Sequence, residues 1–403
     1  MLVNNLKVYV VGNPPPHHGG RYFIFLKLFT DNAIEGVGEV YCATFHPYVI
    51  EKMIEDVFER HVQGMNPFRI ESLWRRVYGR GYTMRPDASL MGVLSGLEIA
   101  LWDICGKAVD KPIYELLGGK VHEKLRTYTY LYPKTGSAYT DESPNVYDDP
   151  DLAAEAACEC VTQGFTAIKF DPAGPYSVFD PRQPSMEAMD RSELFCRRVR
   201  EAVGSKADLL FGTHGQFTPS GAIRLARRLE AYDPLWFEEP TPPEIPEEMA
   251  KVARQTKIPI ATGERLTTKY EFSRVLDTGA ASILQPALGR VGGILEAKKI
   301  AGMAESHYAQ FAPHLYCGPV EGAANIQISS CIPNFLILES IGRWGGFHAQ
   351  ILKKPVEWDS DLGFPTEPGL GVELNEEVAL AHAYNEKDLH LEMAEKPITK
   401  APF

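Results

Sequence analysis

The chain has 403 residues, of which 44% are hydrophobic and 23% charged, a composition typical of a globular protein and too apolar for a disordered one. A formal net charge of −12 argues against DNA or RNA as a partner, because binding to phosphate groups requires a basic surface. Seven cysteines without disulfide or metal-ligand spacing, no signal peptide and no apolar run of about 18 residues predict a soluble cytoplasmic protein with no membrane partner.

The N-terminal part, residues 1–123, is predicted to form a separate α+β domain. Three strand-like segments separated by turn sequences come first: NLKVYVV, YFIFLKLFT and GVGEVY. Three helical patterns follow them, and the longest is ASLMGVLSGLEIALWDICGKAV. Strands that precede their helices, rather than alternating with them, are typical of an α+β domain.

The middle part, residues 124–340, changes to short apolar segments that alternate with amphipathic helices. The eight predicted strands are LRTYTYLY, FTAIKFDP, ADLLFGTHG, PLWFEEP, IPIATGER, SILQPALG, YAQFAPHLY and FLILES. Gly212, Glu238 and Glu264 follow one another at 26-residue intervals, and Glu339 follows His314 by 25, so each interval spans one βα unit. Eight such units predict a (β/α)₈ barrel with its polar residues at the C-terminal ends of the strands.

The C-terminal part, residues 341–403, is rich in turn residues and returns to extended segments. We expect it to pack back on the N-terminal domain. Its last residues, HLEMAEKPITKAPF, are expected to form a loosely held tail.

Two carboxylates at the ends of consecutive strands predict a metal site. Glu238 lies in WFEEP and Glu264 in ATGER, each after a buried apolar run. Packed carboxylates repel one another unless a cation or a proton lies between them. Oxygen ligands of this kind suit Mg²⁺ or Mn²⁺.

Several motifs taken together resemble those of a known family: LSGLEIALWDICGKAVDKPIYELLGG, AIKFDP, WFEEP, ATGER and PHLYCGP. They are similar to the enolase superfamily, in its mandelate racemase/muconate lactonizing enzyme branch, and most closely to the galactonate and mannonate (acid-sugar) dehydratase groups. The resemblance implies a modified TIM-like (β/α)₈ barrel capped over its C-terminal mouth by the N-terminal domain and the C-terminal segment. It also implies a homo-oligomer, either a dimer or an octamer.

The same resemblance implies the chemistry of a carbon–oxygen lyase acting on an acid sugar. Mg²⁺ binds the substrate carboxylate, a base removes the α-proton through an enediolate, and a β-hydroxyl leaves to give a 2-keto-3-deoxy acid. Two alternatives remain: a racemase or cycloisomerase on a related carboxylate, and a decayed barrel that binds a sugar acid without turnover.

The resemblance carries over unevenly to the metal ligands. Relatives supply one carboxylate from each of the third, fourth and fifth strands. Glu238 and Glu264 match the fourth and fifth, but the third-strand position is Gly212. His214 points to the same side of its strand and could be the third ligand or an acid, or a water could take that place. A nitrogen ligand would favour Mn²⁺ or Zn²⁺.

The catalytic positions depart from the pattern as well. Lys169 matches the first lysine of the Lys-x-Lys motif of racemases, but Asp171 replaces the second and could orient Lys169, bind substrate, act as a ligand or base, or start a turn. His314 matches the general base of the family, while Ala287 stands where its aspartate partner is usual. Glu339 matches the residue that hydrogen-bonds the substrate carboxylate.

Loop residues of the cap and residues beside the strand ends are the candidates for substrate contact. They are His18, Arg21, His46, Arg265, Tyr316 and Trp344. The retained glutamates and histidines favour an enzyme, whereas Gly212 and Ala287 favour decay or a divergent mechanism.

Overall fold

The computed structural model describes residues 1–82, 87–133, 146–147, 149–359, 361–363 and 365–398. The N-terminal domain contains a three-stranded antiparallel sheet in the order β1-β2-β3. Its strands are β1 (Val3–Gly12), β2 (Tyr22–Thr30) and β3 (Glu35–Val40). Its helices are α1 (Pro47–Val57), continued by a π-helical turn over Phe58–Val62, α2 (Ile70–Gly79), α3 (Ala88–Ala108) and α4 (Ile113–Leu116).

The helix α3 is the core element of this domain. The Asp87 side chain caps its N-terminus by accepting hydrogen bonds from the N–H groups of Ser89 and Leu90, at 2.8 and 3.0 Å. By length and composition this helix is long and apolar enough to span a membrane, although Glu98 and Asp103 interrupt its apolar run. However, 83% of its most apolar window is buried inside the protein, as in the core helix of a globular domain.

Eight parallel strands form the barrel in the described part of the chain. They are β4 (Leu125–Tyr130), β5 (Ala167–Phe170), β6 (Asp208–Gly212), β7 (Trp236–Glu238), β8 (Ile260–Thr262), β9 (Ile283–Leu284), β10 (Gln310–Phe311) and β11 (Leu338–Ser340). Strands β4 to β10 pair in chain order, from β4 with β5 to β9 with β10, and β11 pairs with β4. A parallel bridge between Phe311 and Phe335 closes the ring. The predicted (β/α)₈-type barrel is confirmed.

Seven helices connect these strands on the outside, within the residues described. They are α5 (Pro150–Thr162), α6 (Met186–Val203), α7 (Pro219–Leu229), α8 (Pro246–Ala253), α9 (Thr268–Thr278), α10 (Ile294–Ser306) and α11 (Pro319–Ser330). Short 3₁₀ turns follow α6 (Gly204–Lys206) and α7 (Glu230–Tyr232). Each crossover returns the chain to the same end of the barrel, so the C-terminal ends of all eight strands open on one face.

The chain after the barrel returns to the N-terminal domain. Its elements are α12 (Phe347–Gln350), β12 (Trp358–Asp359), β13 (Asp361–Leu362) and α13 (Glu376–Ala381). The N–H of Gly12 donates to the carbonyl of His382 at 2.7 Å, and the N–H of Tyr384 donates to that of Val10 at 3.0 Å. Lys27 Nζ lies 2.6 Å from Glu376 Oε1. The segment therefore extends the edge of the sheet.

Two buried glutamates of the N-terminal domain cap two barrel helices. The helices α10 and α11 begin after glycines, which offer no capping side chain. The Glu98 carboxylate accepts hydrogen bonds from the N–H groups of Ile294 and Leu295, at 2.7 and 2.9 Å. Glu39 does the same for Gly318 and Glu321, at 2.5 and 2.8 Å. Negative groups are stabilised at helix N-termini, so these contacts fix the domain over the barrel mouth.

We predict that Glu98→Ala lowers the free energy of unfolding by about 1–3 kcal/mol, because it leaves buried N–H groups of α10 without an acceptor. Urea unfolding monitored by circular dichroism measures the change. The control is Glu305→Ala, which removes an exposed glutamate of the same helix and should change the free energy by less than roughly 0.5 kcal/mol. Equal midpoints for the two variants would show that Glu98 does not hold the domains together.

Candidate active site

The barrel interior has an apolar floor and, one layer above it, a ring of mostly polar residues. The floor contains one residue from each strand or its immediate continuation: Tyr128, Ala167, Leu210, Trp236, Ala261, Ile283, Ala312 and Ile337. Side chains of a strand alternate between its two faces, so the residues two positions further on also point inward. We call these the polar ring: Tyr130, Lys169, Gly212, Glu238, Gly263, Gln285, His314 and Glu339.

A glycine brings one more carboxylate to the polar ring. Gly263 has a φ of 145°, a conformation that favours glycine, and a Cβ there would lie 2.8 Å from the backbone of Gln285. The next residue, Glu264, is buried, and its Oε1 accepts a hydrogen bond from the Tyr41 hydroxyl at 3.1 Å. The cap domain thus contributes directly to the site.

The three side chains predicted as metal ligands lie together. Ligand atoms of His214, Glu238 and Glu264 are all within 4.8 Å of one another, so this group could hold a metal ion. Glu264 Oε2 is buried and makes no hydrogen bond of good geometry among the described residues, although two histidine nitrogens lie 3.3 and 3.5 Å from it. A buried carboxylate oxygen without a hydrogen bond is costly, and a divalent cation would satisfy it. One nitrogen and two carboxylates suit Mn²⁺ as well as Mg²⁺.

Lys169 occupies the place where a third carboxylate would lie. Its Nζ is 2.7 Å from Glu238 Oε1 and 3.5 Å from Glu339 Oε1. The other oxygen of Glu238 accepts a hydrogen bond from Gln285 at 2.8 Å. A Cβ at Gly212 would lie 2.7 Å from Lys169 Cε. Burial acts to lower the pKa of Lys169, but the two glutamates outweigh it and raise the pKa, which keeps the ammonium charged.

Two histidines face the same oxygen of Glu264. His214 Nε2 is 3.3 Å and His314 Nε2 is 3.5 Å from Glu264 Oε2. Burial lowers the pKa of His314 to about 4. Burial also acts to lower the pKa of His214, but its contact with Glu264 outweighs that effect and raises it. Because the two pKa values shift in opposite directions, the His314 ring is the one that stays neutral and the His214 ring is the one that is more readily protonated.

The remaining predicted catalytic carboxylates differ in their surroundings. Glu339 lies in the polar ring, where its Oε2 accepts a hydrogen bond from the N–H of Leu315 at 2.8 Å, and burial raises its pKa. Asp171 follows β5, and its Oδ1 accepts a hydrogen bond from the N–H of Ala173 at 2.9 Å. Burial raises the pKa of Asp171 to about 6. Its backbone contact is that of a turn-forming aspartate.

A cavity opens above the polar ring. It is lined by His18, Tyr130, Tyr132, Lys169, Tyr176, His214, Glu264, His314, Tyr316, Glu339 and Leu391. Of the predicted substrate contacts, it includes His18, whose ring stacks on Tyr132 at 4.2 Å, and Tyr316. Four tyrosines give this cavity both apolar ring faces and hydroxyl groups, which suit a polyhydroxylated ligand.

Four predicted substrate contacts do not line this cavity. Arg21 pairs with Asp388 at 3.4 Å, and His46 stacks on Tyr48 and approaches the carbonyl of Glu386 at 3.2 Å. Arg265 pairs with Glu239 at 2.7 Å. Trp344 is buried against Gly322. In this arrangement each of them contacts protein groups beside the site.

The residues that the sequence reasoning missed come from three places. Tyr130 and Tyr132 belong to TYLYP at the end of the first barrel strand, where the strand-end rule used for the other units could have found them. Tyr41 ends the cap strand GVGEVY, and Leu391 lies near the C-terminus. Their approach to the barrel depends on long-range packing, and no local sequence signal marks it.

The C-terminal segment, in its described part, is hydrogen-bonded to the cap and to the barrel, and residues 391–397 are exposed. We call residues 388–396 the C-terminal strap. The backbone N–H of Arg21 donates to the carbonyl of His390 at 3.2 Å. In the loop after β5, the N–H of Val178 donates to the carbonyl of Ala394 at 3.0 Å, and the N–H of Ala394 donates to the carbonyl of Tyr176 at 3.1 Å. The His390 ring is buried beside Tyr41. The strap therefore links the cap to the barrel across the cavity that Leu391 lines.

Two family profiles cover most of the chain. The profile described as mandelate racemase/muconate lactonizing enzyme, N-terminal domain, matches residues 17–118. The profile described as enolase C-terminal domain-like matches residues 151–378.

Individual relatives extend the similarity over nearly the whole length. A D-galactonate dehydratase of Variovorax paradoxus is 35% identical over 368 residues, which cover 90% of this chain and 91% of that protein. A D-xylonate dehydratase of Haloferax volcanii is 33% identical over 373 residues, which cover 90% of this chain and 86% of that protein. A structure from Labrenzia alexandrii, provisionally named a mandelate racemase/muconate lactonizing enzyme, is 64% identical with a TM-score of 0.95 and covers 98% of this chain and 100% of its own.

We predict that the C-terminal strap protects the loop after β5 from hydrogen exchange. Peptides covering residues 174–180 and 389–397 should exchange slowly, because the Val178 and Ala394 amides are hydrogen-bonded. Deleting residues 388–403 should speed exchange in the first peptide and leave a peptide of α6 unchanged. Mass spectrometry measures both. Immediate full exchange of the strap would contradict the contacts described.

We predict that Glu264→Gln abolishes binding of Mn²⁺ and Mg²⁺, because it removes a charge from a cluster with only two carboxylate ligands. Isothermal titration calorimetry of the two ions measures the change. The matched control, Glu305→Gln, alters an exposed glutamate far along α10 and should leave affinity unchanged. Equal affinity in wild type and Glu264→Gln would place any metal elsewhere.

Proposed function

Because the chain belongs to the mandelate racemase/muconate lactonizing enzyme branch of the enolase superfamily, whose members are enzymes, we propose that it is a metal-dependent acid-sugar dehydratase. The proposed product is a 2-keto-3-deoxy acid. The observation that carries this proposal is the pair of histidines facing one oxygen of Glu264 at 3.3 and 3.5 Å. Relatives named D-galactonate and D-xylonate dehydratase support the substrate class.

The metal expected in this proposal is Mg²⁺ or Mn²⁺. Glu238 and Glu264 would hold it, together with His214 as the third ligand when no substrate is bound. When bound, such a cation stabilises the negative charge that develops on the substrate carboxylate as the α-proton leaves. Lys169 stays beside Glu238 and adds a second positive charge to the same region.

His314 is the proposed general base. It is buried, its ring stacks against Tyr41 at 5.9 Å, and its low pKa keeps the ring neutral near neutral pH. Its Nε2 takes the proton from the α-carbon of the substrate. Ala287 lies beside the ring, at the position where the aspartate partner is usual.

His214 is the proposed general acid. As the bond between the β-carbon and its hydroxyl oxygen breaks, His214 gives that oxygen a proton and water leaves. The electron pair from the broken α-carbon–hydrogen bond forms the carbon–carbon double bond of an enol. Tautomerisation of the enol gives the 2-keto-3-deoxy acid. Tyr130, Tyr132 and Tyr316 line the cavity around the remaining hydroxyls of the substrate.

We predict that His314→Asn reduces sugar-acid dehydration about 10²–10⁴-fold, the usual cost of removing a positioned general base, while Mn²⁺ affinity is retained. A panel of acid sugars that includes D-galactonate and D-xylonate is first screened for 2-keto product with the wild type. With the substrate so identified, the rate of each variant and α-proton exchange in D₂O are measured. His307→Asn, which alters an exposed histidine at the end of α10, is the matched control.

The same assay separates the roles of the two histidines. If His214 is the acid, His214→Asn loses elimination but keeps α-proton exchange in D₂O. If it acts only as a ligand, the variant loses Mn²⁺ binding and both activities together. Turnover by His314→Asn at the wild-type rate, or the absence of a 2-keto product from every acid sugar in the panel, would contradict the proposed function.

A further inference from the structure

Gly212 is a glycine because of space rather than backbone conformation. Its φ is not among the positive values of the chain, so a residue with a side chain could adopt its backbone geometry. A Cβ at this position would lie 2.7 Å from Lys169 Cε, 3.2 Å from Cγ and 3.5 Å from Cδ. The stem of Lys169 therefore fills the volume in which a side chain of residue 212 would begin.

The Lys169 stem cannot easily move aside, because its ammonium is fixed at the far end. Nζ lies 2.7 Å from Glu238 Oε1, 3.5 Å from Glu339 Oε1 and 5.8 Å from the centre of the Tyr130 ring. Both Lys169 and Glu238 have side chains that are only 2% exposed. Removing the ammonium from Glu238 would leave two unpaired charges in the interior, which is strongly unfavourable.

Charge balance connects this pair to the metal cluster. Glu238, Glu264 and Glu339 carry three negative charges, and the Lys169 ammonium carries one positive charge. Counted as formal charges, these four groups carry a negative excess, which a divalent cation would reduce. An aspartate at position 212 in addition to these groups would unbalance the cluster and overlap with Lys169.

We propose that Gly212 and Lys169 act as a pair that replaces a third carboxylate ligand. The stem of Lys169 fills the space, and its ammonium shares Glu238 with the metal ion held by His214, Glu238 and Glu264. Lys169 thus acts as a positioning residue that weakens metal binding and holds Glu238 in place when the ion is absent. This inference rests on the metal site of the proposed function.

The charge part of this inference is tested with Mn²⁺ alone, with no substrate present. Electron paramagnetic resonance measures free Mn²⁺ during titration. Lys169→Met keeps an apolar stem over Gly212 but removes the charge, so the dissociation constant should fall by at least about tenfold, because a like charge a few ångströms from the ion is lost. The control is Lys251→Met, which removes an exposed lysine of α8 and should leave the constant unchanged. An unchanged constant in Lys169→Met overturns the proposal.

The space part is tested with Gly212→Asp on three backgrounds. In the wild type it should not tighten Mn²⁺ binding, because Lys169 occupies the volume. In Lys169→Met the retained stem should again prevent tightening. In Lys169→Ala the new carboxylate should fit and lower the dissociation constant a further tenfold or more. Tighter binding by Gly212→Asp in an otherwise wild-type protein overturns the proposal.

The two ideas fail separately. If the wild type dehydrates no acid sugar but the Mn²⁺ constants follow the expected pattern, the proposed function is wrong and the Gly212–Lys169 pair stands. If dehydration is observed but the substitutions at 169 and 212 have additive effects, the pair is wrong and the function stands. Circular dichroism checks that each variant folds. If Gly212→Asp does not fold, Lys169→Met alone decides the inference.

Discussion

The arrangement of the site is set by the cost of burying several carboxylates close together, because they repel one another and lose their hydration. Glu238, Glu264 and Glu339 lie at the barrel mouth and are each 6% exposed or less. Carboxylates packed in this way are stable only with counter-charges and hydrogen-bond donors. Lys169 supplies the charge at Glu238 and Glu339, while histidines, a tyrosine hydroxyl and a divalent cation are suited to Glu264. The glycine at position 212 follows from this arrangement, because the lysine needs its space.

The same constraint explains how the cap is attached. Glu39 and Glu98 are fully buried, and each accepts backbone hydrogen bonds at the start of a barrel helix. Burial raises the pKa of Glu39 and of Glu98 to about 7, and the N–H donors oppose the rise. Glu39 lies two residues before Tyr41, so its contact with α11 also positions the tyrosine that donates to Glu264. The contacts that attach the cap therefore also place a residue of the site.

The strand periodicity made much of the site predictable. Spacing of one βα unit predicts Glu238 at the barrel mouth, and the family resemblance predicts Lys169, His314 and Glu339, which the structure places in the same ring. The partner of Lys169 was not predictable, because a long flexible side chain can reach several carboxylates. Which of them it pairs with depends on their positions in the folded structure. The contacts of the C-terminal strap and of α3 were not predictable either. Both are stabilised by contacts with residues far away in the chain, which local composition does not encode.

We infer that a divalent cation and the Lys169 ammonium bind to the same group of buried carboxylates. Anomalous diffraction from crystals grown with Mn²⁺ tests it most directly, because the ion and the lysine are seen together. We expect one anomalous peak coordinated by Glu238 and Glu264, with Lys169 still lying across Gly212 and paired with Glu238. A pocket without a peak, or a peak accompanied by Lys169 turned away from Gly212, would contradict it.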